Sequence, residues 1–207
     1  MSKTPHLDAA YALSSPDDNR TLYADWAQSY DETFTEATGY AVPHHIAHEA
    51  AARGGLGPVL DVGAGTGAVA TEIAARIEPI DALDLSPEML EVARSKGLYR
   101  DLITADLTQT LEITDETYDT IVSAGTFTHG HVGPDALDEL IRVARRGALF
   151  VLSVNAEHFG ARGFTAKFAS LADRITDDQI LSRPIYGGAA PKGHADDTTN
   201  IVVFRKA

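Results

Sequence analysis

The chain contains no cysteine, which excludes disulfide bonds, thiolate nucleophiles and zinc sites with cysteine ligands. It is also poor in basic residues: 17 Lys and Arg stand against 30 Asp and Glu, for a formal net charge of −13 over 207 residues. A surface field of this sign repels polyphosphate backbones, so we expect no nucleic-acid partner. Solubility or adaptation to salt is the alternative explanation of the same charge.

Long apolar runs are missing as well. No run approaches the length that spans a membrane, and the start of the chain lacks a basic stretch followed by an apolar one. We therefore expect no membrane partner and a cytoplasmic location. The length suits a single domain, and a hydrophobic content of 44% is ordinary for a globular protein.

The most informative feature that is present is a run of three glycines directly after an apolar strand. Residues 59–67 read Val-Leu-Asp-Val-Gly-Ala-Gly-Thr-Gly. Such glycines allow a tight turn against a ligand, and the following helix directs free N–H groups at it, which predicts a nucleotide-type ligand in an open α/β sheet. Asp61 indicates which nucleotide-type ligand this is. A carboxylate repels a pyrophosphate and attracts a ligand with an ammonium and a sulfonium, such as S-adenosylmethionine (SAM).

Three segments in order resemble motifs of the class I SAM-dependent methyltransferases. They are residues 61–67, residues 81–90 (Asp-Ala-Leu-Asp-Leu-Ser-Pro-Glu-Met-Leu) and residues 104–107 (Thr-Ala-Asp-Leu). The resemblance covers nearly the whole chain, from about Tyr23 onwards. The glycine run alone also satisfies the dinucleotide pattern G-x-G-x-x-G/A, so the order and spacing of the three motifs carry the resemblance. Residues 125–132 are most similar to small-molecule methyltransferases of the Williams–Beuren-region type.

Alternating apolar strands and helical patterns predict the fold. We expect strands at 59–62, 80–85, 102–105, 120–124 and 149–154, with helices between them. Two further strands, at about 179–185 and 199–205, are joined by a loop too short for a helix and should form an antiparallel hairpin. The prediction is a Rossmann-like, seven-stranded, mostly parallel sheet with helices on both faces and a C-terminal antiparallel hairpin. It forms one domain, 1–207, with an N-terminal helical cover (1–54) and a Rossmann-like core (55–207).

The resemblance also implies which residues hold the cofactor. Asp61 and the backbone of Gly63, Ala64, Gly65 and Gly67 would hold the amino-acid part of SAM. Asp84 closes the second strand at about the distance from the first glycine at which an acid meets ribose hydroxyls, with an exposed or capping acid as the alternative. The adenine ring would contact Leu85, Met89, Asp106 and Leu107, although Leu85 and Met89 also suit the core and Asp106 a structural turn.

The segment from Ser123 to His131 follows the fourth strand and should line the wall between methyl donor and acceptor. Within it, His129 and His131 are the candidate general bases, and a purely structural role is the alternative for both. His44 and His48 lie at i, i+4, which is metal-ligand spacing, but no carboxylate-histidine motif accompanies them. We prefer a solvated or lid-lining face and predict no metal.

Aromatic residues recur at helical spacing near the start of the chain. Tyr23, Trp26, Tyr30 and Phe34 form this stripe, which favours hydrophobic packing on one helix face. The motif Trp-Ala-x-x-Tyr-Asp (26–31) also looks like the N-terminal cover over the SAM pocket in this superfamily. Tyr23 or Tyr30 would then close over the methionine arm.

Together these features predict a SAM-dependent methyltransferase that moves a methyl group by in-line displacement to a small-molecule acceptor. The sequence leaves open whether the acceptor atom is O, N, S or C, and it leaves the oligomeric state open. The main alternative is a non-catalytic SAM-binding or partner-binding module. An NAD-dependent oxidoreductase is a weaker alternative, because Asp61 and the terminal hairpin oppose it.

Overall fold

The computed structural model describes residues 16–128 and 132–207, which contain a seven-stranded sheet. Its strands are β1 (Val59–Val62), β2 (Ile80–Asp84), β3 (Asp101–Thr104), β4 (Tyr118–Phe127), β5 (Ala144–Asn155), β6 (Ile175–Pro184) and β7 (Thr198–Lys206). The strand order is β3-β2-β1-β4-β5-β7-β6. Strands β1 to β5 pair in parallel, whereas β7 pairs antiparallel with both β5 and β6. The predicted fold class, including the terminal hairpin, is confirmed.

Helices cover both faces of this sheet. They are α1 (Pro16–Trp26), α2 (Val42–Ala52), α3 (Ala68–Ile73), α4 (Pro87–Ser95), α5 (Ala136–Val143), α6 (Ala156–Ala161) and α7 (Phe164–Ser170). Alternate side chains of β1 enter different cores: Leu60 packs on the α5 face, and Val59 packs on the face that α2 and α3 cover. The strand is therefore apolar on both sides, as buried parallel strands are.

The helix after β2 begins as its sequence predicts. The hydroxyl of Ser86 accepts a 3.2 Å hydrogen bond from the backbone N–H of Met89, and Pro87 occupies the first helical position. This cap fixes the direction in which α4 leaves the end of β2. Asp84 is held at that end, next to the glycine turn.

The aromatic stripe does not lie on one continuous helix, which corrects the sequence-based expectation. Helix α1 ends at Trp26 and is followed by a 3₁₀ turn (Ala27–Ser29) and a π-helical turn (Asp31–Glu36). Side-chain bonds accompany the change: the hydroxyl of Thr33 donates to the carbonyl of Ser29 at 2.7 Å and accepts from Trp26 Nε1 at 2.8 Å. The rings still pack together, with the Trp26 and Tyr30 centroids 5.0 Å apart.

The N-terminal cover is joined to the loop of the C-terminal hairpin. The backbone N–H of Ala41 donates to the carbonyl of Ile185 at 2.8 Å, and that of Gly187 donates to the carbonyl of Gly39 at 2.7 Å. These bonds bring two distant parts of the sequence together above the carboxyl ends of the parallel strands. Within residues 16–128 and 132–207, no helix combines the length and the apolar character that crossing a bilayer requires.

Candidate functional site

A cleft lies at the carboxyl ends of the parallel strands, where ligands bind in open α/β sheets. Its wall combines most of the glycine corner (residues 63–67, of which 63–66 line the cleft), the ends of β2, β3 and β4, the N-terminal cover and the hairpin loop. The predicted site residues that line it are Tyr23, Tyr30, Gly63, Ala64, Gly65, Asp84, Leu85, Met89, Asp106 and Leu107. Residues predicted from three separate motifs are thus brought to one surface.

The glycine corner is shaped by a threonine on the neighbouring strand. Gly63 has a φ of +64°, and a Cβ atom there would lie 2.0 Å from Oγ1 of Thr126. That hydroxyl oxygen lies 2.9 Å from the carbonyl oxygen of Val62 and is buried against β1. Glycine is therefore required at position 63 for space as well as for backbone conformation.

Each carboxylate oxygen of Asp84 accepts a hydrogen bond from a backbone N–H. Its Oδ2 accepts a 2.8 Å bond from the N–H of Gly65, and its Oδ1 accepts a 2.9 Å bond from the N–H of Ser86. Burial raises the pKa of this carboxyl, and backbone N–H bonds oppose the rise. Each carboxylate oxygen keeps a further lone pair, so Asp84 can also accept hydroxyl groups from a ligand.

The third strand end carries a second acid. Oδ1 of Asp106 accepts bonds from the N–H and the hydroxyl of Thr108, both at 2.8 Å, which orients the carboxylate beside the cleft. Leu107 and Met89 lie on the same wall but are 6% and 2% exposed, so both also belong to the packed interior. Leu85 is partly exposed on this wall.

The predicted placement of Asp61 on the cleft wall is wrong. The side chain is fully buried, and its Oδ2 accepts a 2.7 Å bond from the hydroxyl of Tyr99. Successive strand residues point to opposite faces, and Asp61 points to the face of Val59, away from Leu60 and Val62. Oδ1 has no hydrogen-bond partner among the described residues.

The environment of Asp61 is nearly water-free, and this changes its acidity. Burial raises the pKa of its carboxyl to about 7; the bond from Tyr99 lowers it, and the charge of Asp84 raises it. The Tyr99 ring also packs under the corner, 3.0 Å from the position of a Cβ on Gly67. Asp61 and Tyr99 therefore support the glycine corner from below. Gly67, at the end of the corner, packs against Tyr99 and does not line the cleft as predicted.

Ser123 is another predicted site residue that the structure places inside the protein. Its hydroxyl lies 2.8 Å from the carbonyl oxygen of Val62 and 2.9 Å from Oγ1 of Thr126, and the side chain is fully buried. The side chain contacts the last residue of β1, because its hydroxyl reaches the Val62 carbonyl. It joins β1 to β4 and does not line the cleft.

The histidines singled out from the sequence lie in two segments. His129 and His131, the predicted bases, lie outside the described residues. On α2, His44 lies 3.4 Å from a carboxylate oxygen of Glu72, and Nε2 of His45 lies 3.2 Å from the carbonyl oxygen of Pro184. The part of the chain that the structure describes contains no group of three or more histidines and acids that could hold a metal ion.

Several lining residues were not predicted as site residues. Tyr40, Asn155, Ile185, Tyr186 and Thr199 line the side of the cleft that faces the hairpin. Tyr40 and Tyr186 form a β-bridge, so this wall depends on contacts between the two ends of the chain. No local motif marks these positions. Thr126 also lines the cleft, and it belongs to the segment from Ser123 to His131 that was expected to line the wall between methyl donor and acceptor.

The cleft wall is neutral or acidic throughout its described part. Among the described lining residues, the only charged side chains are Asp84 and Asp106, and none is Lys, Arg or His. The remaining wall is aromatic, aliphatic, hydroxyl-bearing or amide-bearing. Burial raises the pKa of Tyr30 well above its usual value, with the nearby Tyr23 adding to the rise, so this phenol stays neutral.

Comparison with known proteins gives a consistent result. A family model described as "Methyltransferase domain" matches residues 60–152. Methyltransferase-like protein 27 of Homo sapiens is 32% identical over 152 residues, an overlap that covers 70% of this chain and 61% of the human protein. The chain thus spans about three fifths of the length of this relative.

Solved structures share the fold at low sequence identity. A complex of DhpI with S-adenosylhomocysteine (SAH) has a TM-score of 0.66 at 18% identity, covering 93% of this chain and 97% of that one. Magnesium protoporphyrin IX methyltransferase from Synechocystis PCC 6803, solved with bound SAM, has a TM-score of 0.63 at 19% identity and covers 94% and 98% of the two chains.

Proposed function

The chain belongs to the class I SAM-dependent methyltransferase superfamily, and on this premise we propose that it transfers a methyl group from SAM to a small-molecule acceptor. The observation that carries the proposal is the charge of the cleft wall. Asp84 and Asp106 are its only charged side chains among the described residues. Carboxylates repel a pyrophosphate and attract the ammonium and sulfonium groups of SAM, which has no phosphate.

The lining residues offer a contact for each part of SAM. Asp84 would accept the ribose hydroxyls, and Asp106 would accept the adenine amino group. Leu85, Met89 and the backbone of Leu107 would contact the adenine ring. The amino-acid part would lie against the backbone of the glycine corner, with Tyr23 or Tyr30 above it.

Asp61 has a different role in this proposal from the one expected of it. Its carboxylate lies beneath the corner with Tyr99, so it would support the backbone that contacts SAM and not contact SAM directly. The negative charge that favours a cationic ligand then comes from Asp84 and Asp106. The absence of basic side chains among the described lining residues and the antiparallel terminal hairpin support SAM over a dinucleotide.

SAM supplies a methyl group on a positively charged sulfur, which is already a good leaving group. The protein then has to align the acceptor with that methyl and exclude water. The N-terminal cover and the hairpin loop, which Tyr40 and Tyr186 join above the strand ends, would enclose the acceptor. A general base is needed only for an acceptor that must lose a proton, and His129 and His131 remain the proposed candidates.

An acceptor without phosphate groups suits the described wall and the net charge of −13. A small neutral or cationic molecule is therefore the proposed acceptor, and a cytoplasmic location is part of the same proposal. A SAM-binding module without catalysis is the second candidate function, because the described part of the cleft wall defines the acceptor site only weakly.

Formation of SAH distinguishes these two functions. The purified protein would be incubated with SAM and a panel of small neutral and cationic compounds that carry hydroxyl, thiol or amine groups, with SAH measured by mass spectrometry. We expect acceptor-dependent SAH formation, and we expect Asp84→Ala to slow it about 10- to 100-fold at low SAM. Tight SAM binding without SAH formation from any acceptor would favour the binding module.

A further inference from the structure

Asp31 connects the N-terminal cover to the core through two side-chain bonds. Its Oδ1 accepts a 2.5 Å bond from the hydroxyl of Thr66, and its Oδ2 accepts a 2.6 Å bond from Nζ of Lys96. Thr66 belongs to the glycine corner, and Lys96 follows the last residue of α4. Both bonds to the carboxylate are charge-assisted and partly buried, so they are stronger than an ordinary surface ion pair.

The other end of the cover is held in a different way. Gly39 and Ala41 pair through their backbone with the hairpin loop, with no side-chain charge involved. The segment from Asp31 to Ala41 therefore crosses the cleft between two anchors. Loss of the anchor at Asp31 would free one end of the segment while the backbone anchor keeps the other end attached.

Aromatic rings fill the space between the two anchors. Tyr30, Phe34 and Tyr40 line the cleft, with centroid distances of 5.1 Å between the first pair and 5.0 Å between the second. Trp26 packs edge-on against Tyr30 and is only 2% exposed. Because Tyr30 is adjacent to Asp31 in the chain, the position of Asp31 determines where this ring lies above the cofactor side of the cleft.

We propose that Asp31 is a positioning residue whose bonds to Thr66 and Lys96 hold the N-terminal cover closed and thereby limit the rate of SAM and SAH exchange. The inference rests on the proposed function, because SAM is taken as the ligand of the cleft. Closure by Asp31 keeps Tyr30 over the ligand and water out of the cleft. Release of the ligand then requires these two bonds to break.

Two variants each remove one partner of the ion pair between Asp31 and Lys96. Asp31→Asn removes the negative charge while its amide oxygen still accepts from Thr66, and Lys96→Met removes the ammonium group. The matched control is Asp138→Asn on α5. Asp138 also accepts from two cations, Lys167 at 2.5 Å and Arg174 at 2.9 Å, and it does not line the cleft.

Trp26 provides the readout, because it is the only tryptophan in the chain and lies within the cover. SAH dissociation would be followed by stopped-flow fluorescence after dilution into excess SAM. We expect dissociation about tenfold faster in Asp31→Asn and in Lys96→Met, and unchanged in Asp138→Asn. The double variant should dissociate no faster than the single ones, since both remove the same bond.

Acrylamide quenching of Trp26 in the ligand-free protein gives a second readout that does not require SAH. Quenching should rise in Asp31→Asn and Lys96→Met and stay at the wild-type value in Asp138→Asn. Wild-type rates and wild-type quenching in both anchor variants would overturn the inference while leaving the proposed function intact. A wild-type protein that binds neither SAM nor SAH would overturn both.

Discussion

The hydroxyl of Tyr99 donates a 2.7 Å hydrogen bond to Oδ2 of Asp61 beneath the glycine corner. The first acid of the best-defined motif therefore faces the interior and supports the turn that lines the cleft. Its other oxygen, Oδ1, is buried without a partner among the described residues. Such a carboxyl is costly to ionise, and this gives it a measurable effect on stability.

The first prediction concerns that effect. Because burial holds the pKa of Asp61 near 7, the unfolded chain loses this proton first as the pH rises from about 4, and the folded state is progressively destabilised up to about pH 7. Asp61→Asn removes the ionisation and still accepts from Tyr99. Its stability relative to wild type should increase by about 2 kcal/mol between pH 5 and pH 8.

Urea unfolding at the two pH values measures this difference. Asp101→Asn, at an exposed acid on β3, is the control and should show no such dependence. A difference between Asp61→Asn and wild type that is the same at both pH values would show that the buried carboxyl does not titrate in this range.

The second prediction concerns Asp84. Asp84→Ala removes the proposed acceptor for the ribose hydroxyls, and we expect SAH affinity to fall about 10- to 100-fold with the fold intact. Asp119→Ala is the control, because Asp119 lies near the start of β4 and pairs with Arg145 at 2.5 Å. Calorimetry gives the affinity and circular dichroism gives the fold. Unchanged SAH affinity in Asp84→Ala would remove this residue from the proposed site.

The third prediction contrasts two glycines of the corner. Gly63→Ala places a Cβ 2.0 Å from Oγ1 of Thr126 and should destabilise the protein by about 3 kcal/mol. Gly65→Ala meets no atom within 4 Å, so only its φ of +55° opposes the change, at about 1 kcal/mol. Urea unfolding measures both values.

A double variant checks the cause of the larger effect. Adding Thr126→Ala to Gly63→Ala removes the atom that the new Cβ meets, so part of the lost stability should return. Simple additivity of the two substitutions would contradict the close contact between Gly63 and Thr126.

The fourth prediction concerns the proposed base. If the acceptor must lose a proton, replacing His131 with alanine should lower kcat at pH 7 by about 100-fold and leave SAH affinity unchanged. His129→Ala is the paired variant, because side chains two positions apart in an extended segment share one side, so either histidine is a candidate base. Equal activity of both variants and the wild type would exclude His129 and His131 as the base.

Much of the fold was predictable because apolar runs, glycines and caps act locally. The β1 strand, the Ser86 cap and the terminal hairpin each follow from a few neighbouring residues. The interrupted helix after Trp26 was not predictable, because side chains four residues apart lie on nearly the same face of an α-helical and of a π-helical turn. The bonds of Thr33 that accompany this change become visible only in three dimensions.

The candidate site was predictable in position but not in every side chain. The motifs indicated that Asp84 ends β2, that Asp106 comes after β3, and that both lie at one edge of the sheet. They did not indicate which face of β1 Asp61 occupies, because that depends on packing against Tyr99, 38 residues away. Tyr40 and Tyr186 line the cleft because two segments far apart in the sequence pair with each other. No local sequence pattern indicates this pairing.

Calorimetric titration of the wild-type protein with SAM, and separately with NADH, tests the central claim most directly. The acidic, phosphate-repelling cleft wall predicts saturable SAM binding at micromolar concentration and no detectable NADH binding. Micromolar binding of NADH in the absence of SAM binding would contradict it.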